Sequence, residues 1–297
     1  GNMTITGEYV EELRMVLLPD GKVLAFAGEN TFSTMDSQAS LFNPATNTWT
    51  TTGSLLTRVA SSAVVLLKSG KVLSAGGCTA PGGVANCGSS LYGSHSELYD
   101  PATGTWSSVG NLSTNYGYPT GILLRDGKAL IVGASTSSGT VSEVFDPATN
   151  TWSTVGSLAT LHENSALLPN QYILAAGRSS HNANSSISEL YDPIAKTWVT
   201  TGPLSTTKGV SPVIPLPNGK ALFAGGSLQK STDICFSTAE IFDPVAKTWA
   251  TTSSMSTSRV YFAYGLLPNG QVIVAGGAST GSADNCTSGI LSSAELY

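Results

Sequence analysis

The chain has 297 residues, a formal net charge of −5 and only 11% charged residues. That balance argues against nucleic acid as a general partner. No apolar run is long enough to enter a membrane as a spanning segment, so no membrane insertion is expected.

Taken in chain order, one hairpin phrase keeps returning. It reads Leu17-Leu18-Pro19-Asp20-Gly21-Lys22, then Leu66-Leu67-Lys68-Ser69-Gly70-Lys71, then Leu123-Leu124-Arg125-Asp126-Gly127-Lys128. The later copies are Leu167-Leu168-Pro169-Asn170-Gln171, Pro215-Leu216-Pro217-Asn218-Gly219-Lys220 and Leu266-Leu267-Pro268-Asn269-Gly270-Gln271. An apolar run, a turn pair with glycine and a second apolar run predict a tight β-hairpin. Only Gln171 replaces the glycine. The second run ends in small residues, such as Gly76-Gly77, Gly225-Gly226 and Gly276-Gly277. Glycine there lets neighbouring backbones approach closely. A variable loop follows, then a short strand such as Ser96-Glu97-Leu98-Tyr99 and an Asp-Pro or Asn-Pro turn. Each unit closes on a strand with one tryptophan: Trp49, Trp106, Trp152, Trp198 and Trp249.

Each repeat therefore reads as a four-stranded antiparallel meander, A-B-C-D, with a period of about 50 residues. Six such units are expected to form one domain over 1–297, an all-β, six-bladed β-propeller. The segment Met3-Thr4-Ile5-Thr6-Gly7 aligns with Trp49-Thr50-Thr51-Thr52-Gly53, so the N-terminus is expected to supply strand D of the last blade and close the ring. The double glycines, the aromatic before Asp-Pro and the tryptophan at fixed offset resemble kelch repeats. The Ser293-Ala294-Glu295-Leu296-Tyr297 wording is similar to secreted bacterial members of that family. The resemblance implies a propeller like the central one of galactose oxidase in fold only, without its copper-site residues. It leaves both binding scaffolds and enzymes open.

Residues at one offset in every repeat are expected to pack or to satisfy the same backbone groups. The tryptophans fit the first role, and Glu97, Glu143, Glu189, Glu240 and Glu295 the second. Function is expected at the end that carries the B–C loops and D-to-A crossings, which vary in length and chemistry. The expected ligand-binding residues there are Glu12, Arg14, Arg58, Tyr116, Tyr118, Arg178, Lys208, Arg259 and Tyr261. Aromatic faces stack on sugar rings, and arginine forks grip carboxylates or hydroxyls.

The expected function is a secreted, monomeric, non-catalytic module for a carbohydrate or other polar ligand. One alternative is a metal-independent isomerase or lyase acting on an acidic sugar, with His162 or Glu163 as acid/base. Another is a propeller that binds protein partners. No metal or other cofactor is expected: the three histidines are scattered, and no phosphate loop or dinucleotide fingerprint is present. No leader segment is legible, which suits a cytosolic chain or a mature secreted one. Four cysteines lie in B–C loops. The economical pairing is Cys78–Cys87 and Cys235–Cys286, one of three that four cysteines allow. Such bonds belong to an oxidising compartment, so the expected location is extracellular.

Overall fold

The computed structural model describes residues 13–28, 37–79, 89–135, 140–160, 162, 164–177, 186–209, 211–228, 234–279 and 289–297. The expected closing strand, Met3–Gly7, lies outside them. The chain falls into two compact units, Gly1–Ser157 and Leu158–Tyr297.

In the first unit, β1 (Arg14–Leu17), β2 (Val23–Phe26), β3 (Ala39–Asn43) and β4 (Thr48–Thr51) form a four-stranded antiparallel sheet in sequence order. The next strands are β5 (Ala63–Leu66), β6 (Val72–Ala75), β7 (Gly93–Asp100), β8 (Thr105–Leu123), β9 (Ala129–Ser135), β10 (Thr140–Asp146) and β11 (Thr151–Leu158). They make one seven-stranded sheet where two separate meanders were expected. The crossing between these repeats stays extended, so β8 is strand D of one meander and strand A of the next. Thr114, Tyr116 and Thr120 favour that conformation, Tyr118 departs from it with a φ of 48°, and register shifts on both flanks of β8 absorb the change of direction.

The second unit begins with β12 (Asn164–Leu167), β13 (Ile173–Ala176), β14 (Ser188–Asp192) and β15 (Thr197–Thr200), again in sequence order. Strands β16 (Val213–Pro215), β17 (Ala221–Ala224), β20 (Ala239–Asp243) and β21 (Thr248–Thr252) form the next sheet. The pair β18 (Ser227–Leu228) and β19 (Ile234–Cys235) extends its B–C loop. Strands β22 (Ala263–Leu266), β23 (Val272–Ala275) and β26 (Ala294–Leu296) follow, with β24 (Ala278–Ser279) and β25 (Gly289–Ile290) as a second loop hairpin.

The tryptophan is set the same way in every repeat. Trp49, Trp106, Trp198 and Trp249 sit directly opposite Phe42, Tyr99, Tyr191 and Phe242. Their ring centroids are 5.1–5.2 Å apart, as are those of Phe145 and Trp152. Tilted aromatic pairs of this kind add about 0.5–1.5 kcal/mol beyond the area they bury. Two indoles also tie a repeat to the one before it. Trp152 Nε1 donates to Ser96 Oγ at 3.0 Å, and Trp249 Nε1 donates to Ser188 Oγ at 2.7 Å.

The turns are equally regular. The hairpin glycines hold φ of +83° to +93°, and Gln171 adopts +74° in the same place. In the C–D turns, an Asn or Asp carboxamide or carboxylate accepts the amide two residues on in all five copies. The residue two further along is left-handed every time: Asn47, Gly104, Asn150, Lys196 and Lys247, with φ of 54° to 68°. Glycine and asparagine take that conformation readily, whereas a lysine there costs about 1 kcal/mol.

Candidate functional site

The D-to-A crossings are pinned by the recurring glutamates of strand C. Glu97 accepts from the amides of Leu56 and Thr57 at 2.7 and 2.8 Å. Both oxygens of Glu143 face the Ser113 amide, at 3.0 and 2.9 Å. Glu189 takes Ala159 and Thr160, Glu240 takes Ser205, and Glu295 takes Ser256 and Thr257. The repeated carboxylate is thus a structural anchor for the segment that enters each A strand.

A second side chain reaches this carboxylate from the crossing itself, and its identity changes with the repeat. Arg259 is fully buried. Its Nε and Nη2 donate to Glu295 Oε1 at 3.1 and 2.9 Å. Nη1 donates to the carbonyls of Gly276 and Ser293, and Nη2 also donates to Ser293 Oγ. A guanidinium has five N–H groups, so none is left for a ligand. Burial pushes Glu295 up, but the hydrogen bonds from Ser256 and Arg259 outweigh it and hold this carboxyl below its ordinary range.

Lys208, also buried, places Nζ 3.2 Å from Glu240 Oε1 and donates to the Thr238 carbonyl at 3.3 Å. Burial lowers its pKa, and Glu240 offsets part of that shift. His162 is 1% exposed, with Nδ1 2.8 Å from the Gly177 carbonyl and Nε2 3.0 Å from Glu189 Oε2. Tyr116 donates to the Val141 carbonyl at 2.6 Å, and burial together with the nearby Glu143 charge raises its pKa. The Thr238, Ser293 and Val141 carbonyls all lie two residues before their repeat's glutamate. The second repeat has an apolar side chain at the matching backbone position. The carbonyl of Val59 accepts the Gly28 amide, as those of Tyr116 and Arg259 accept the amides of Gly77 and Gly226.

Four expected site residues, Tyr116, His162, Lys208 and Arg259, are therefore committed inside the crossings. His162 presents neither ring nitrogen to solvent, so it has no free position from which to move a substrate proton. Glu12, Glu163 and Arg178 lie outside the described residues.

The other expected residues within the described part of the chain are Arg14, Arg58, Tyr118 and Tyr261. Two positions after Val59, Tyr116 and Arg259 come Ser61, Tyr118 and Tyr261, all in the left-handed region with φ of 56°, 48° and 54°. In the first unit Ser61 is fully buried, whereas Tyr118 is half-buried with its ring edge-on to Tyr92 at 6.3 Å. Arg58 is exposed there, and Arg14 Nε donates to the Ser62 carbonyl at 3.0 Å. In the second unit Tyr261 is 63% exposed, and the hydroxyls of Ser258 and Ser279 pair nearby in sequence at 2.9 Å. Left-handed tyrosines are costly, and such outliers persist where the surroundings over-determine them, often at binding sites. Tyr92 was not legible as a site residue, because it lies in a variable B–C loop where the matching positions of two other repeats hold Cys235 and Ile290.

The loop end also holds His95, whose buried Nε2 has no hydrogen-bond partner among the described residues, and burial holds its pKa down at about 4. Neither Cys78 nor Cys235 is a free thiol, while Cys87 and Cys286 lie outside the described residues. Among the described residues no three His, Cys, Asp or Glu side chains converge as metal ligands would.

No family model matches this sequence, and no curated protein matches it. Solved structures do share its fold. The chain is similar to the structure of YjhT, with a TM-score of 0.65 and 13% identity over 99% of this chain and 96% of that one. The fold is thus all-β and of the β-propeller type. At this identity the likeness carries fold alone.

Proposed function

We propose that the chain is a six-bladed kelch propeller, with Met3–Gly7 as the fourth strand of its last blade, and that it works as a secreted, non-catalytic binding module. Its ligand is a carbohydrate or a similar polar molecule taken at the loop end. The observation that carries this reading is the pair Tyr118 and Tyr261, accessible aromatic side chains held in a strained backbone at equivalent places. An accessible ring whose backbone is held in one conformation offers a stacking face at small entropic cost. Arg58, exposed on another crossing of the first unit, can supply charged hydrogen bonds.

The alternative, an isomerase or lyase on an acidic sugar, loses His162 as acid/base and rests on Glu163. A panel of neutral and acidic sugars read by thermal shift tests both. A ligand at about 100 times its dissociation constant should add roughly 2.7 kcal/mol of stability. Tyr118→Ala should weaken a sugar held by the first unit, and Tyr261→Ala one held by the second, by about threefold to tenfold. Unchanged affinity in both variants would sink the stacking site. Turnover of the bound sugar that disappears in Glu163→Gln would instead establish the enzyme.

Secretion is tied to the disulfides Cys78–Cys87 and Cys235–Cys286, which we propose because neither described cysteine is free. Alkylation of the denatured, unreduced protein should add no mass, and alkylation after reduction should add four groups. Any label taken up without reduction would overturn the pairing.

A further inference from the structure

The end opposite the loops is built from turns whose backbone is the same in every repeat, so a change of residue there is not a demand of the fold. In the first three repeats the C–D turn carries Ala45-Thr46-Asn47, Ala102-Thr103-Gly104 and Ala148-Thr149-Asn150. Its threonine pairs with a second one two residues on, at 2.7 Å each time. The next two repeats read Ile194-Ala195-Lys196 and Val245-Ala246-Lys247. Each has made the same three changes. The threonine pair is lost, an alanine has become a β-branched aliphatic, and the residue suited to a left-handed φ has become lysine.

The new side chains face outward. Ile194 is 92% exposed and Val245 is 91% exposed. Lys196 and Lys247 make no ion pair among the described residues, although Asp192 feels the charge of Lys247. The turn carboxylates point back into their own turns. Asp192 accepts from Ile194 and Ala195, while Asp243 accepts from Val245 and Ala246 and pairs with Lys220 at 3.0 Å. The two turns belong to consecutive repeats of one unit, and the Gly202 amide of the first repeat donates to the Lys247 carbonyl at 2.8 Å. The result is a pair of exposed aliphatic tips, each two residues from a lysine that has no ion pair among the described residues, on a chain that is acidic as a whole.

We infer that Ile194, Lys196, Val245 and Lys247 form a docking surface for an anionic lipid interface. A projecting aliphatic tip flanked by a cation fits an acceptor that yields around it and carries negative charge. A bilayer interface does both, and each lysine near such a surface is worth about fivefold in binding. A protein partner would need two matched sockets with acidic rims at this spacing. The inference is independent of any ligand at the loop end.

The test uses cosedimentation with vesicles of phosphatidylglycerol and phosphatidylcholine in equal parts, with pure phosphatidylcholine as the comparison. The protein should bind the mixed vesicles, leave the neutral ones and release as salt is raised. The double variant Ile194→Ser/Val245→Ser should lose tenfold or more in affinity. The double variant Lys196→Asn/Lys247→Asn should lose about as much, and its thermal midpoint should not fall, because asparagine suits the turn better than lysine. Full binding in either variant, equal binding to both vesicle types, or no binding at all overturns the inference.

Discussion

Glu240→Leu should destabilise the protein by about 3–5 kcal/mol, because it leaves the buried ammonium of Lys208 without its counter-charge. The substitution removes two things at once. Lys208 loses the carboxylate 3.2 Å away, and the Ser205 amide loses its acceptor. The double variant Glu240→Leu/Lys208→Met removes the stranded charge and keeps only the orphaned amide, which costs about 1–3 kcal/mol. The double variant should therefore be the more stable of the two. Lys208 already has a lowered pKa in the folded protein, and loss of Glu240 lowers it further. A lysine of this kind binds fewer protons folded than unfolded between its two pKa values, so stability rises with pH across that window. The deficit of Glu240→Leu should be full below the lowered pKa and should shrink as pH climbs toward the ordinary lysine range. Denaturant midpoints of wild type and both variants, measured at neutral and alkaline pH, decide this. A deficit under about 1 kcal/mol would show that the pair is no anchor.

Gly77→Ala should cost about 3–5 kcal/mol, against about 1–2 kcal/mol for Gly21→Ala. Both glycines have positive φ, +97° and +83°. The difference lies in what a Cβ would meet. At Gly21 nothing stands within 4 Å. At Gly77 the new carbon would lie 2.5 Å from the Ala60 carbonyl oxygen and 2.8 Å from the Ser62 nitrogen, both backbone atoms. Relief would require breaking the paired hydrogen bonds between Ala60 and Cys78, at 3.0 and 2.8 Å. The Cβ positions at Gly226 and Gly277 meet the Gly209 and Val260 carbonyls in the same way. The comparison separates strain from contact, since only the second variant has room. Equal losses at Gly21 and Gly77 would mean that the double glycine serves φ alone.

Most strands, the hairpins and the repeat were legible in the sequence, because turn chemistry and alternating apolar runs are local signals, whereas the merging of two meanders through β8 was not. The recurring glutamate before each Leu-Tyr, Val-Phe or Ile-Phe pair was legible as structural too, since a residue repeated at one offset repeats one job. It could not say which of the variable residues on the crossings were free. Tyr116, His162, Lys208 and Arg259 vary as ligand-binding residues do, yet each faces inward to a glutamate about 27 to 36 residues later. Tyr118, two positions on from Tyr116, is half-buried, and Tyr261, two positions on from Arg259, is exposed. A side chain's direction there is set by the carboxylate waiting on strand C and, in the crossings of Tyr116 and Arg259, by the left-handed residue two positions on. Both are tertiary facts, fixed only when a distant strand is brought alongside.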